Sequence, residues 1–202
     1  MRICFIGAGA LGSTIGGTLA RGGAEVWLID PFQAHVDAIN ARGLRMLEGS
    51  AETIVKVTAR TSAAQVGVRA DLVIVLVKSY HTREAIRAAT PIIGPDTVVM
   101  SLQNGLGHED ILSEEVGRER VMAGKTYVGG VLLGPGHVRS GVVGKETIIG
   151  ELDGRLTERA QRISETFNRA GILTLLSDTS SARCGTSCLS TLPAAALPPL
   201  PA

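Results

Sequence analysis

The stretch Gly7-Ala8-Gly9-Ala10-Leu11-Gly12 decides the fold. It follows a short apolar run at residues 3–6, which predicts a buried strand that stops at glycine. From Leu11 onward, apolar residues recur every four positions, at Leu11, Ile15 and Leu19, and predict a helix. A strand, a G-x-G-x-x-G turn and a helix in this order are typical of a dinucleotide-binding turn.

Each glycine of this motif has its own physical task. Gly7 would allow the tight turn, Gly9 would let the backbone approach a pyrophosphate, and Gly12 would let the helix pack closely on the strand. The second strand ends at Asp30, eighteen residues after Gly12, where a carboxylate can accept hydrogen bonds from ribose hydroxyls. We therefore predict cofactor contacts from Gly7, Ala8, Gly9, Ala10, Leu11, Gly12 and Asp30. Because a carboxylate repels a 2′-phosphate, Asp30 favours NAD(H).

The rest of the chain continues the alternation of strands and helices. Further strands are predicted at residues 26–29, 72–77, 98–102, 121–131, 142–143, 147–149 and 172–176, with 44–47 and 53–57 as a hairpin or edge pair. Helices are predicted at 35–41, 82–89 and 156–167, with another beginning near His108. The sequence therefore predicts an α/β fold, a doubly wound Rossmann-type sheet with added strands, over residues 1–176. Residues 177–202 hold four of the eight prolines and predict an irregular, disordered tail.

Composition excludes several classes of protein. Twenty basic and nineteen acidic residues give a net charge of +1, which argues against a nucleic-acid partner. Three cysteines without a ligand set argue against a metal site and favour a reducing cytoplasm. Glycines interrupt the apolar N-terminal run, so neither a signal peptide nor a membrane segment is predicted. His35, His81 and His108 are predicted to be exposed to solvent.

Two residues follow predicted central strands at the edge where ligands bind in such sheets. Lys78 and Asn104 each stand just past a strand end, where an ammonium and an amide could contact the cofactor or a substrate carboxylate. Taken singly, a strand-end lysine and a turn asparagine are ordinary surface features. Their shared position makes both of them candidate cofactor-binding and substrate-binding residues.

Three motifs together resemble the ketopantoate reductase (2-dehydropantoate 2-reductase) family. They are I-x-F-I-G-A-G-A-L-G near the N-terminus, V-L-V-K ending at Lys78, and S-L-Q-N-G-L-G containing Asn104. The resemblance implies reduction of 2-dehydropantoate to (R)-pantoate with NADP(H), in pantothenate biosynthesis, and a cofactor contact near Gly130. It also implies a C-terminal helical domain, whose W-x-K-L-x-x-N segment carries the general-acid lysine.

That second part of the family pattern is missing from this sequence. The four lysines are Lys56, Lys78, Lys125 and Lys145, all before the last predicted strand. In a shifted reading frame, codons for residues 182–193 can spell a segment close to the family's, so we expect a frameshifted, truncated C-terminus. No catalytic residue is assigned. Uncovered apolar surface would favour self-association as a homo-oligomer.

Three functions follow from these expectations. The first is a 2-oxo acid reductase of the ketopantoate type with impaired turnover. The second is a non-catalytic dinucleotide-binding module. The third is an NAD-dependent dehydrogenase of another small hydroxy acid, which Asp30 favours.

Overall fold

A computed structural model describes residues 1–178, in which strands and helices alternate. The strands are β1 Arg2–Ile6, β2 Glu25–Ile29, β3 Leu44–Glu48, β4 Ala51–Val55, β5 Thr58–Arg60, β6 Leu72–Val75, β7 Val98–Ser101, β8 Val121–Thr126, β9 Gly129–Gly134, β10 His137–Gly141, β11 Glu146–Glu151 and β12 Leu173–Leu176. The α-helices are α1 Ala10–Arg21, α2 Gln33–Arg42, α3 Thr82–Ala88, α4 His108–Val116 and α5 Glu158–Arg169. Most of the predicted tail lies outside the described residues.

Eight strands form the main sheet, in the order β5-β2-β1-β6-β7-β8-β11-β12. The strands from β5 to β8 run parallel, β11 runs antiparallel to β8, and β12 pairs parallel with β11. Apolar side chains of α1 and α5 fill one face, whereas α3 and α4 cover the other with Ile86 and Leu112. This is the doubly wound α/β sheet with added strands that the sequence predicts.

The winding of the sheet reverses between β1 and β6. The chain leaves β1 through α1 toward β2, and it later returns to place β6 on the opposite side of β1. Open α/β sheets bind ligands at the carboxyl ends of the strands flanking such a reversal. The glycine-rich turn follows β1 and Lys78 follows β6, so both lie at this point.

A second sheet of four strands, in the order β4-β3-β10-β9, lies against the outer side of α1. A Cβ on Gly16 would meet Leu28 and Phe5 of the main sheet, and one on Gly17 would meet Met46 and Leu44 of the small sheet. Helix α1 is therefore enclosed between two sheets, and its glycines allow both to approach closely.

The structure corrects several sequence-based boundaries. The predicted strand 121–131 divides into β8 and β9, which belong to different sheets. Residues 142–143 belong to the bend between β10 and β11 and are not a strand. The central strand β6 ends at Val75: the Leu76 N–H still donates to the carbonyl oxygen of Ile6 at 2.8 Å, and the chain bends at Val77. The predicted pair 44–47 and 53–57 is an antiparallel hairpin, β3–β4.

Candidate functional site

The glycine-rich turn has a geometry that side chains would not allow. Gly7 has φ +102°, and a Cβ there would lie 2.7 Å from the carbonyl oxygen of Leu76. A Cβ on Gly12 would overlap the carbonyl oxygen of Gly7, so helix and turn pack as closely as the motif predicts. A Cβ on Gly9 would meet nothing within 4 Å. The turn is therefore closely packed at Gly7 and Gly12, whereas Gly9 borders open space.

Unsatisfied amides lie at this open side. The N–H groups of Gly9, Ala10 and Leu11 donate no hydrogen bond to another residue within 1–178. Helix α1 also has no N-cap side chain that accepts a hydrogen bond from these amides. Free amides and the positive end of a helix dipole form a site for an anion such as a pyrophosphate.

Asp30 holds the turn from the neighbouring strand end. Its Oδ2 accepts the Ala8 N–H at 2.9 Å and its Oδ1 accepts the Phe32 N–H at 3.0 Å. The side chain is partly exposed, and each carboxylate oxygen keeps lone-pair capacity after one hydrogen bond. Asp30 can therefore fix the turn and still accept hydrogen bonds from ribose hydroxyls.

Lys78 and Asn104 are exposed and are connected through their neighbours in sequence. The Gln103 side chain donates from Nε2 to the carbonyl oxygen of Val77 at 2.6 Å, and it accepts from Ser101 Oγ at 2.8 Å. Since Val77 precedes Lys78 and Gln103 precedes Asn104, this bond holds the two loops side by side. Gln103 lies within the S-L-Q-N-G-L-G motif, but its role was not predicted, because its partner Val77 is 26 residues away.

Gly130 lies on β9 beside the first turn of α1. A Cβ there would overlap Thr14 Oγ1 and lie 2.8 Å from the carbonyl oxygen of Ala10. The observed reason for glycine at this position is thus close packing of the small sheet on α1. Contact between Gly130 and a cofactor stays a prediction.

His35 is buried, contrary to the sequence-based expectation, with 1% of its surface exposed. Its Nδ1 accepts the Gly136 N–H at 3.0 Å, and its Nε2 lies 3.2 Å from Ser13 Oγ. Burial lowers the pKa of His35, and the negative charge of Asp30 offsets this only in part. Because His35 and Ile39 are four residues apart on one helix face, spacing could have indicated this burial.

The other two histidines of the prediction behave differently from each other. His81 is exposed, as predicted, whereas His108 is 4% exposed and its Nε2 lies 3.1 Å from the carbonyl oxygen of Asn104. His108 therefore supports the loop that carries Asn104. Across the part of the chain that the structure describes, no group of three or more potential ligands is arranged for a metal ion. No helix there is long and apolar enough to cross a membrane.

The fold and the turn define the class: a doubly wound α/β protein with a glycine-rich turn at its topological switch point. Residues 3–154 match the family described as ketopantoate reductase PanE/ApbA. The chain belongs to this family.

Relatives share the sequence over most of this chain. It is 42% identical to a 2-dehydropantoate 2-reductase of Pyrococcus horikoshii over 174 residues, which are 86% of this chain and 55% of that protein. It is 36% identical to a 2-dehydropantoate 2-reductase of Halobacterium salinarum over 177 residues, 86% of this chain and 57% of that protein. The chain thus spans somewhat more than half the length of these relatives.

Solved structures agree in fold. A putative 2-dehydropantoate 2-reductase from Enterococcus faecalis superposes with a TM-score of 0.80 at 33% identity, over 88% of this chain and 57% of that one. A D-mandelate dehydrogenase, solved with NADH and anilino(oxo)acetate, superposes with a TM-score of 0.81 at 30% identity and the same coverages.

Proposed function

We propose that this chain binds a nicotinamide dinucleotide, with its pyrophosphate on the amides of Gly9, Ala10 and Leu11. The observation that carries the proposal is the set of free amides on the open side of the turn, beside a carboxylate that two backbone amides hold in place. The family and the NADH in the D-mandelate dehydrogenase structure support the same cofactor class. When bound in reduced form, the nicotinamide supplies a hydride.

We further propose a preference for NAD(H) over NADP(H). A 2′-phosphate beside Asp30 would meet a carboxylate, and the nearby cations are poorly placed to offset that charge. The Arg60 guanidinium donates to the carbonyl oxygens of Ala59 and Gln65. Arg42 is the last residue of α2, nine residues beyond Gln33, which corresponds to ~14 Å along a helix.

The proposed reaction is reduction of a small 2-oxo acid, and 2-dehydropantoate is the first candidate because the relatives carry its name. Lys78 would hold the substrate carboxylate, and Asn104 would lie between the nicotinamide ribose and the substrate. A ketone that accepts hydride also needs a proton donor, and a positioned acid contributes about 10²–10⁴-fold. We assign this role to no residue within 1–178.

A second candidate is an NAD-dependent dehydrogenase of another small hydroxy acid. Asp30 and the structural likeness to D-mandelate dehydrogenase favour it specifically. Both candidates share the cofactor site and differ in the 2-oxo acid, whereas a non-catalytic dinucleotide-binding module would reduce neither.

Calorimetric titration of the 202-residue chain with NADH and NADPH tests the cofactor proposal. We expect heat of binding from NADH and a weaker response to NADPH, and binding of neither would overturn the proposal. Absorbance at the NADH band then follows turnover with 2-dehydropantoate and with the 2-oxo acid of mandelate. Slow oxidation with 2-dehydropantoate supports the first candidate, preference for the other substrate supports the second, and no oxidation with either supports the binding module.

A further inference from the structure

We propose that Ser13 and His35 are positioning residues for the cofactor, acting through the peptide bond between Ala8 and Gly9. This inference rests on the proposed function, because it assigns a purpose to a buried network beneath the proposed pyrophosphate site. Neither side chain faces the open side of the turn, since both are buried.

The first step is the orientation of one peptide plane. Ser13 Oγ donates to the carbonyl oxygen of Ala8 at 2.7 Å. The peptide bond is trans, so the N–H of Gly9 points opposite to that carbonyl. Pulling the Ala8 carbonyl toward Ser13 therefore turns the Gly9 N–H away from the buried side of the turn, and this N–H has no partner within residues 1–178. The preceding plane is held separately, because the Ala8 N–H donates to Asp30.

The second step is the direction of the bond between His35 and Ser13. A backbone N–H can only donate, so the 3.0 Å bond from Gly136 requires an unprotonated Nδ1 on His35. The neutral ring then carries its proton on Nε2, which lies 3.2 Å from Ser13 Oγ, and the backbone carbonyl of Ala8 also interacts with the ring as an acceptor. Because a protonated Nε2 cannot accept a hydrogen bond, the Ser13 hydroxyl donates its hydrogen to the Ala8 carbonyl and not to the ring.

The third step is the anchor of the network. Gly136 lies in the turn between β9 and β10, has φ +69°, and packs against Ala38 of α2. The ring of His35 therefore joins the small sheet to the glycine-rich turn of the main sheet. An orientation set by three elements is fixed before the cofactor arrives, which reduces the entropy lost on binding.

Two isosteric substitutions of His35 separate its two bonds. In His35→Gln, the amide nitrogen takes the place of Nε2 and keeps the donor to Ser13. In His35→Asn, the amide oxygen takes the place of Nδ1 and keeps the acceptor for Gly136, but the donor to Ser13 is lost. We expect Ser13→Ala and His35→Asn each to raise the NADH dissociation constant about fivefold, and His35→Gln to raise it less than twofold.

The full-length chain is used throughout, with NADH as the probe and calorimetry as the readout. Thr18→Val is the matched control, because Thr18 is another buried hydroxyl of α1 and donates within the helix to Thr14. We expect this control to leave NADH affinity unchanged. The double variant Ser13→Ala, His35→Asn should raise the NADH dissociation constant by less than the product of the two single effects, because both residues act on the Ala8 carbonyl.

A purely structural role would give a different result. The melting temperature measured without NADH would then fall in every variant, and the two His35 variants would bind NADH with equal affinity. If the unaltered chain binds NADH and Ser13→Ala binds it equally well, the positioning role is wrong although the proposed function stands. If the unaltered chain does not bind NADH, the proposed function and this inference are both wrong.

Discussion

The side-chain nitrogen Nε2 of Gln103 donates a 2.6 Å hydrogen bond to the carbonyl oxygen of Val77. This bond joins the loop after β7 to the loop after β6, two segments that are 26 residues apart in sequence. Thr82 lies within 3.3 Å of the same amide group and closes the network. The relative placement of the loops that carry Lys78 and Asn104 therefore depends on the side-chain amide of Gln103.

Replacing Gln103 with glutamate is expected to destabilise the protein. The substitution keeps the shape of the side chain but sets a carboxylate oxygen against the Val77 carbonyl, where a donor is required. We expect the free energy of unfolding to fall by about 1–3 kcal/mol in urea denaturation. Gln161→Glu makes the same change at an exposed position of α5 and serves as the control. Equal stability of the two variants would contradict the assigned role of Gln103.

Alanine substitutions should distinguish a glycine that the fold requires, Gly12, from one that the proposed cofactor site requires, Gly9. Gly12→Ala forces a Cβ onto the carbonyl of Gly7, and we expect a loss of stability of about 1–3 kcal/mol. Gly9→Ala meets open space at an ordinary φ of −63°, so stability should change by less than about 0.5 kcal/mol. NADH affinity should nevertheless fall at least about tenfold, because the methyl group occupies the proposed pyrophosphate position. Unfolding curves and calorimetry on both variants check this, and unchanged NADH binding by Gly9→Ala would place the cofactor elsewhere.

Neutralising Asp30 should weaken cofactor discrimination. In Asp30→Asn, one oxygen that accepts a backbone N–H is replaced by an NH₂ group, and the charge facing a 2′-phosphate is gone. We expect the NADH dissociation constant to rise about tenfold while NADPH binding changes less. Asp37→Asn is the control, since Asp37 is exposed on α2 and accepts only from Gln33 among the hydrogen bonds of residues 1–178. If the ratio of NADH affinity to NADPH affinity does not change, Asp30 does not determine which cofactor is preferred.

The buried ring of His35 should make stability depend on pH. Its pKa in the folded protein lies below the ordinary value of 6.5, so the unfolded chain binds the proton more readily. Neutral His35 makes its full contribution to the free energy of unfolding above pH 6.5. This contribution is lost as the pH falls through the lower pKa of His35 in the folded protein. Melting temperatures measured between pH 7.5 and 5 should therefore fall more steeply for the unaltered chain than for His35→Gln. Parallel profiles would contradict a neutral, buried His35.

Cys4 should be inert until the protein unfolds. It is fully buried in β1, and burial raises the pKa of its thiol to about 12, so the thiolate is scarce at pH 8. Alkylation with iodoacetamide followed by peptide mapping should leave Cys4 unmodified in the folded chain and modify it in urea. Mapping is needed to distinguish Cys4 from Cys184 and Cys188, which lie outside the described residues. Rapid labelling of Cys4 without denaturant would mean that β1 opens locally.

The local part of the site could be predicted because its signals are short-range. The positive φ of Gly7 and the close packing of Gly12 on Gly7 involve residues that are close in sequence, and the G-x-G-x-x-G motif indicates both. The buried state of His35 depends on Gly136, which is 101 residues away, and no local pattern includes that partner. His35 lies beside Val36 and four residues before Ile39, a spacing that is typical of a buried helix face, whereas the small sheet that supplies Gly136 is formed by distant strands.

By itself, the sequence determined the alternation of strands and helices, the parallel sheet and the position of the glycine-rich turn, because apolar periodicity and glycine act over a few residues. The tertiary structure alone decided that residues 121–131 would divide between two sheets and that α1 would lie enclosed between them. It also decided that Ser13, His35 and Gly136 would meet beneath the turn. These outcomes depend on which distant strands pair, as β10 does with β3, and long-range backbone pairing leaves no periodic trace in the sequence.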